Sequence, residues 1–182
     1  MTPDRRDAVL RALWPGGAAS GASVWAVLDG ARDPQIYLAL LESRLDFRCL
    51  YSGRLPRLLE MNAPHLVELL PGHRLTERLL GDGWGRSWGV FLRVVDPSNL
   101  RHHLRKFLVV QDEGGRRLVF RWYDPRVLRA YLPTCNGDDL QTVFGPVTSY
   151  LAEDSDGSDL LDFTFEHGRL RQRRVFEAHA AA

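Results

Sequence analysis

Lysine is almost absent from this chain: of its 24 basic residues only Lys106 is one. Arginine therefore carries nearly all the positive charge, and it favours planar and interface contacts more than lysine does. A bias of this size reads first as the codon usage of a GC-rich genome. An excess of charge of one sign is lacking too. A formal net charge of +1 gives no global pull towards anions, which argues against a dedicated nucleic-acid-binding protein. Cysteine is scarce, and Cys49 and Cys135 lie far apart in no CxxC pattern. That pattern offers no disulfide framework and points to a reducing compartment, with Cys49 as core filler. No long apolar run is present, and the charged start Met-Thr-Pro-Asp-Arg-Arg-Asp7 has no signal-peptide character. The expectation is a cytoplasmic protein with no membrane partner.

Assembled catalytic signatures are also missing. No serine sits in a GxSxG elbow and neither cysteine has a catalytic neighbourhood. Gly81-Asp-Gly-Trp-Gly85 contains a GxG, but it precedes a strand, whereas a phosphate loop follows a strand and opens a helix. It reads as a flexible turn. His102 and His103 are adjacent, so they point in different directions and cannot form a helical i, i+4 metal pair. With Arg101, Arg105 and Lys106 they read as a basic solvated helix face. Asp154, Asp156 and Asp159 lack the full ligand series and terminal glutamate of a calcium loop, so residues 153–159 read as an acidic, solvated turn. No metal, cofactor or catalytic residue is expected.

What the chain does contain is a strand-to-helix device used three times: Trp25–Asp29 leads to Asp33-Pro34, Trp88–Val95 to Asp96-Pro97, and Leu118–Tyr123 to Asp124-Pro125. Aspartate accepts hydrogen bonds from the free N–H groups of a first helical turn, and proline at the next position has none to satisfy. Capping is thus the simpler role for Asp33, Asp96 and Asp124. The last junction is the sharpest, and the rest of the chain reads as arranged around it. Val127, Leu128, Tyr131 and Leu132 continue it at helical spacing until Pro133.

Strands alternating with helices predict an α/β fold: a single mixed sheet with flanking helices and a small C-terminal β appendage. The length of 182 residues suits one domain or a main lobe with an appendage. Residues 1–21 read as an amphipathic helix, free to pack on the domain or await a partner, and a glycine-rich link; residues 22–151 as the α/β domain. Residues 152–182 read as a last strand followed by a basic tail, Arg169–Arg174, that frays. The helix after Pro34 turns Ile36, Tyr37, Leu40 and Leu41 inward. Short helices are expected over 56–61 and 75–80, and strands over 47–51 and 65–70. Gln111–Gly115 is a hairpin turn, Asn136 opens a helix ending at Phe144, and Val147–Leu151 is an edge strand. Arg121 interrupts an apolar run, so it is either on an exposed face or paired with a carboxylate, the latter fitting the cost of burying a charge alone.

The segments Val24-Trp-Ala-Val-Leu-Asp-Gly-Ala-Arg-Asp-Pro34, Phe120-Arg-Trp-Tyr-Asp-Pro-Arg-Val-Leu128 and Phe144-Gly-Pro146, with weaker landmarks between, resemble the type VI secretion effector chaperones, also called adaptor proteins. The resemblance spans roughly residues 24–150. It implies a non-enzymatic cytoplasmic protein that holds a secreted toxin effector and helps load it onto a VgrG spike protein. Many members of that family carry a further C-terminal lobe, whereas this sequence stops at Ala182, so a minimal adaptor is the expectation. The motif residues Arg121, Tyr123, Asp124, Pro125 and Arg126 are the candidate partner-binding or organising positions, with residues 1–14 and 166–176 as further contact regions. The rival reading is an enzyme with a small-ligand crevice at the strand C-termini near Asp29, Asp96 and Asp124. A nucleic-acid module using Arg101–Lys106 and Arg169–Arg174 is a third.

Overall fold

A computed structural model of the chain describes residues 1–17 and 21–176. Its centre is a strand buried on both faces. In β1 (Ser23–Asp29) Val24, Ala26 and Leu28 enter one apolar layer while Trp25 and Val27 face the other. A period of two with apolar residues at every position forces cover on both sides. The sheet extends from β1 in the order β2 (Phe47–Cys49), β3 (Pro64–Leu69), β1, β4 (Gly89–Val94), β7 (Val147–Glu153), β8 (Leu160–Glu166) and β9 (Arg169–Arg174). β5 (Val109–Gln111) and β6 (Arg117–Val119) pair only with one another.

One face is covered by α1 (Pro3–Leu13), α2 (Pro34–Ser43) and α4 (Arg74–Gly81), the other by α5 (Leu100–Arg105), α6 (Pro125–Tyr131) and α7 (Gly137–Phe144). The N-terminal helix packs on the domain: Val9, Leu13 and Trp14 are buried with α2 and α4. Arg93 in β4 donates to the Ala12 carbonyl at 2.6 Å and to Asp162 at 2.9 and 3.0 Å, tying the helix end to the sheet.

Local chemistry explains most helix ends. Asp33 accepts from Gln35 N–H at 2.9 Å, Pro34 opens α2, and Arg44 closes it at φ 60°. Asn136 and Asp139 form a reciprocal capping box at 2.9 and 3.1 Å for α7, which ends at Phe144 as expected. Asp124 accepts from Arg126 N–H at 2.9 Å. Asp96 differs. It accepts from Ser98 N–H at 2.9 Å, a turn that precedes the helix, since α5 starts only at Leu100.

The layered α/β architecture with C-terminal strands is present, but its sheet is antiparallel throughout where a mixed one was expected. A strand buried on both faces has the same composition whichever way its neighbours run. Leu118–Tyr123 is not a central strand: β6 ends at Val119 and Trp122-Tyr123 is a turn. β7 lies inside the sheet between β4 and β8, and Arg169–Arg174 is the edge strand β9 rather than a fraying tail. Leu41 is exposed and Tyr37 half-buried, and Cys49 is only half-buried too. The expectations for residues 18–20 and 177–182 lie outside the described residues.

The acidic stretch 153–159 is less solvated than expected. Glu153, Asp154 and Asp159 are buried. Glu153 accepts from Gly85 N–H and Ser87 N–H, both at 2.6 Å, and Trp84 donates to the Gly157 carbonyl at 2.7 Å, so the glycine turn is pinned to the acidic one. Arg174 of β9 bridges Asp154 at 2.6 Å and Asp159 at 3.1 Å. Burial of these carboxylates is thus offset by charge-assisted hydrogen bonds.

Candidate protein-docking groove

The motif residues 120–126 form a knot rather than an open site. Arg121 lies against Asp29, the last residue of β1, as a direct ion pair. Asp29 is 1% exposed and also accepts from Ala31 N–H at 3.2 Å, whereas the Arg121 side chain is 41% exposed. The carboxylate holds the guanidinium more firmly protonated. Asp124 is clamped by Arg126, whose guanidinium donates at 2.6 and 3.0 Å besides the capping backbone bond. Burial opposes ionisation of Asp124, but these bonds to Arg126 outweigh it and hold the carboxyl below its ordinary range. Pro125 is buried behind this clamp.

Tyr123 turns inward and is fully buried, its ring 5.9 Å edge-on from Trp122. Burial first, and the neighbouring Tyr51 hydroxyl second, push its phenol far above the usual value, so it remains a neutral hydrogen-bonding group. Tyr51 is where the knot meets the surface. It lines a groove of about 830 Å³ between α3 (Arg57–Met61) and the β5–β6 ribbon.

Large apolar side chains are exposed along both walls of that groove. α3 buries none of its residues, and Leu58 on it is 76% exposed. Val119 on the ribbon is 63% exposed, and Leu59 and Val109 are exposed beside them. The reverse side of the ribbon is apolar as well, since Val110 and Leu118 pair there and are exposed. A two-stranded ribbon with apolar side chains on both faces is marginal in water. It is held from below: Phe120 N–H donates to the Leu108 carbonyl at 2.9 Å, and the Phe120 ring packs edge-on against Tyr131 of α6 at 4.8 Å. The junction therefore anchors the ribbon and exposes its apolar faces.

A family model described as a domain of unknown function, DUF4123, matches residues 24–142. The chain belongs to that family. The DUF4123 match runs from β1 into α7, so it contains the knot, the ribbon and the groove, and stops just before Phe144-Gly145-Pro146. No curated protein and no solved structure matches the chain.

Within this DUF4123 domain, the structure joins Arg121, Tyr123, Asp124, Pro125 and Arg126 in one knot, and it pairs Arg121 with Asp29 while leaving its side chain partly exposed. It does not gather Asp29, Asp96 and Asp124 at one crevice. β1 and β4 are antiparallel and Ser23 pairs with Val94, so Asp96 sits at the opposite end of the sheet from Asp29, roughly 20 Å away by strand rise. Asp29 and Asp124 are each already taken by an arginine. Nor is the 101–106 face wholly solvated. His103 is buried, and its Nε2 lies 2.8 Å from the Val143 carbonyl, which can only accept, so that nitrogen carries the proton.

Tyr51, Leu55, Leu58, Leu59 and the outward residues of the ribbon were not foreseen as a surface. One signal was present in the chain: Val109-Val110 and Leu118-Val119 put apolar residues on both faces of a hairpin.

Proposed function

We propose that this protein is a cytoplasmic chaperone or adaptor that binds a type VI secretion effector and assists its loading onto a VgrG spike. The observation that carries this reading is the exposed apolar groove and ribbon anchored by the Phe120–Leu128 segment, the segment in which the resemblance to effector chaperones is most specific. Contiguous apolar surface rimmed by polar groups is what a protein uses to hold another protein's apolar segment out of water. In this reading the knot does not touch the effector with every motif residue. Asp29, Arg121, Tyr123, Asp124 and Pro125 hold the ribbon and Tyr51 in place, and the ribbon and α3 make the contact.

Co-expression with the toxin-like proteins encoded beside it tests the proposal. A complex that survives size exclusion at moderate salt, with the effector insoluble when this chain is omitted, is the expected outcome. A folded chain that elutes alone beside a soluble effector would refute it.

A further inference from the structure

We infer that the groove between α3 and the β5–β6 ribbon receives an acidic, apolar segment of a partner protein, laid in extended form along the ribbon; that the partner is a protein rests on the adaptor reading. The floor is apolar, with Leu55, Leu59, Val109 and Val119, while Arg105, Lys106 and Arg117 stand around it and no carboxylate lines it. None of those three cations has an ion-pair partner among the described residues. The bordering segments 50–61 and 105–119 hold six basic and three acidic residues in a chain whose net charge is only +1. The groove thus carries a positive excess that the chain as a whole lacks. Unpaired cations around an apolar floor steer and orient a partner bearing carboxylates beside its apolar side chains.

The extended form follows from the ribbon. Among the described residues β5 and β6 hydrogen-bond only to one another, which leaves each an outer edge of N–H and C=O groups. A strand added there turns every second side chain to the groove face, where Val119 and Arg117 stand two residues apart, so leucine-like and glutamate-like residues alternating at every second position match both. Single-stranded RNA fits less well, because Tyr51 is the one aromatic side chain lining the groove and offers no run of stacking platforms.

The test titrates the intact chain into fluorescently labelled peptides and follows polarisation. One peptide alternates leucine with glutamate at every second position, with serine between them, a second alternates leucine with lysine in the same way, and a third replaces the leucines by serine; a labelled single-stranded RNA is run alongside. The leucine–glutamate peptide is expected to bind best, and Lys106→Glu combined with Arg117→Glu is expected to weaken it by about tenfold. Val119→Ser should weaken it also, since the side chain is exposed and lines the groove. Unfolding midpoints of these variants should match the parent, because none of the three residues is buried. Equal binding of the leucine–lysine peptide or of RNA would overturn the inference. So would indifference to the charge reversals, or light scattering that shows a dimer of this chain closing the groove. The double variant is then co-expressed with the neighbouring effector. An undiminished complex overturns the groove assignment and leaves the adaptor reading standing, whereas peptide binding without any retained effector supports the groove and overturns the adaptor reading.

Discussion

His65 shows how a single side chain can set a property of the whole. It is fully buried on β3, its ring 5.4 Å from Tyr37 and 5.5 Å from Phe47. Burial lowers its pKa from 6.5 to about 4. The unfolded chain takes up a proton below 6.5 that the folded chain refuses until about 4. The stability tied to this group is therefore full above the unfolded value and is lost as pH falls through that window, on the order of 3 kcal/mol in all. His65→Leu should flatten the acid slope of urea-denaturation stability across the window. A variant with the parental slope would show that other groups carry it. Other residue-scale features were legible in the chain: Asp33, Asp124 and Asn136 cap as their types and spacings indicate. Arg121 pointed to an exposed face or a carboxylate partner, and Asp29, 92 residues away, could only be named once the fold was known.

Among the elements, the turn Phe144-Gly145-Pro146 has a steric cause. Gly145 sits at φ 44°, and a Cβ there would stand 2.4 Å from the Cε1 of buried His103. The Val143 carbonyl just before it binds both His103 Nε2 and the Tyr150 hydroxyl, each at 2.8 Å. α5, α7 and β7 thus meet at one glycine. Gly145→Ala should cost about 2–4 kcal/mol, combining left-handed strain with overpacking. Gly168→Ala is the control, for Gly168 is also left-handed at φ 77° but has open space around it. Equal losses by chemical denaturation would remove His103 from the account. The ribbon is the opposite kind of element. Its hairpin turn was legible from Gln111–Gly115, but its separation from the sheet was not, because short apolar strands look alike whether a third strand joins them or water does.

The molecule as a whole is held by β7, which pairs with β4 on one side and β8 on the other. Glu153 at its end fixes the Gly85–Ser87 turn, and Asp162 on β8 holds Arg93, which holds α1. The chain should therefore unfold in one transition, with calorimetric and van't Hoff enthalpies equal. Two resolved transitions would mean that the C-terminal strands form a unit of their own. The α/β class, the order of most elements, most of their caps and the near-neutral charge could be read from the chain alone, since they depend on composition or on neighbours within a few residues. The antiparallel direction of the strands, the partner of Arg121, the burial of His65 and the exposure of the groove emerge in the folded molecule. Those are set by which distant segments come to lie together, and a linear pattern of apolar and charged residues is compatible with more than one such arrangement.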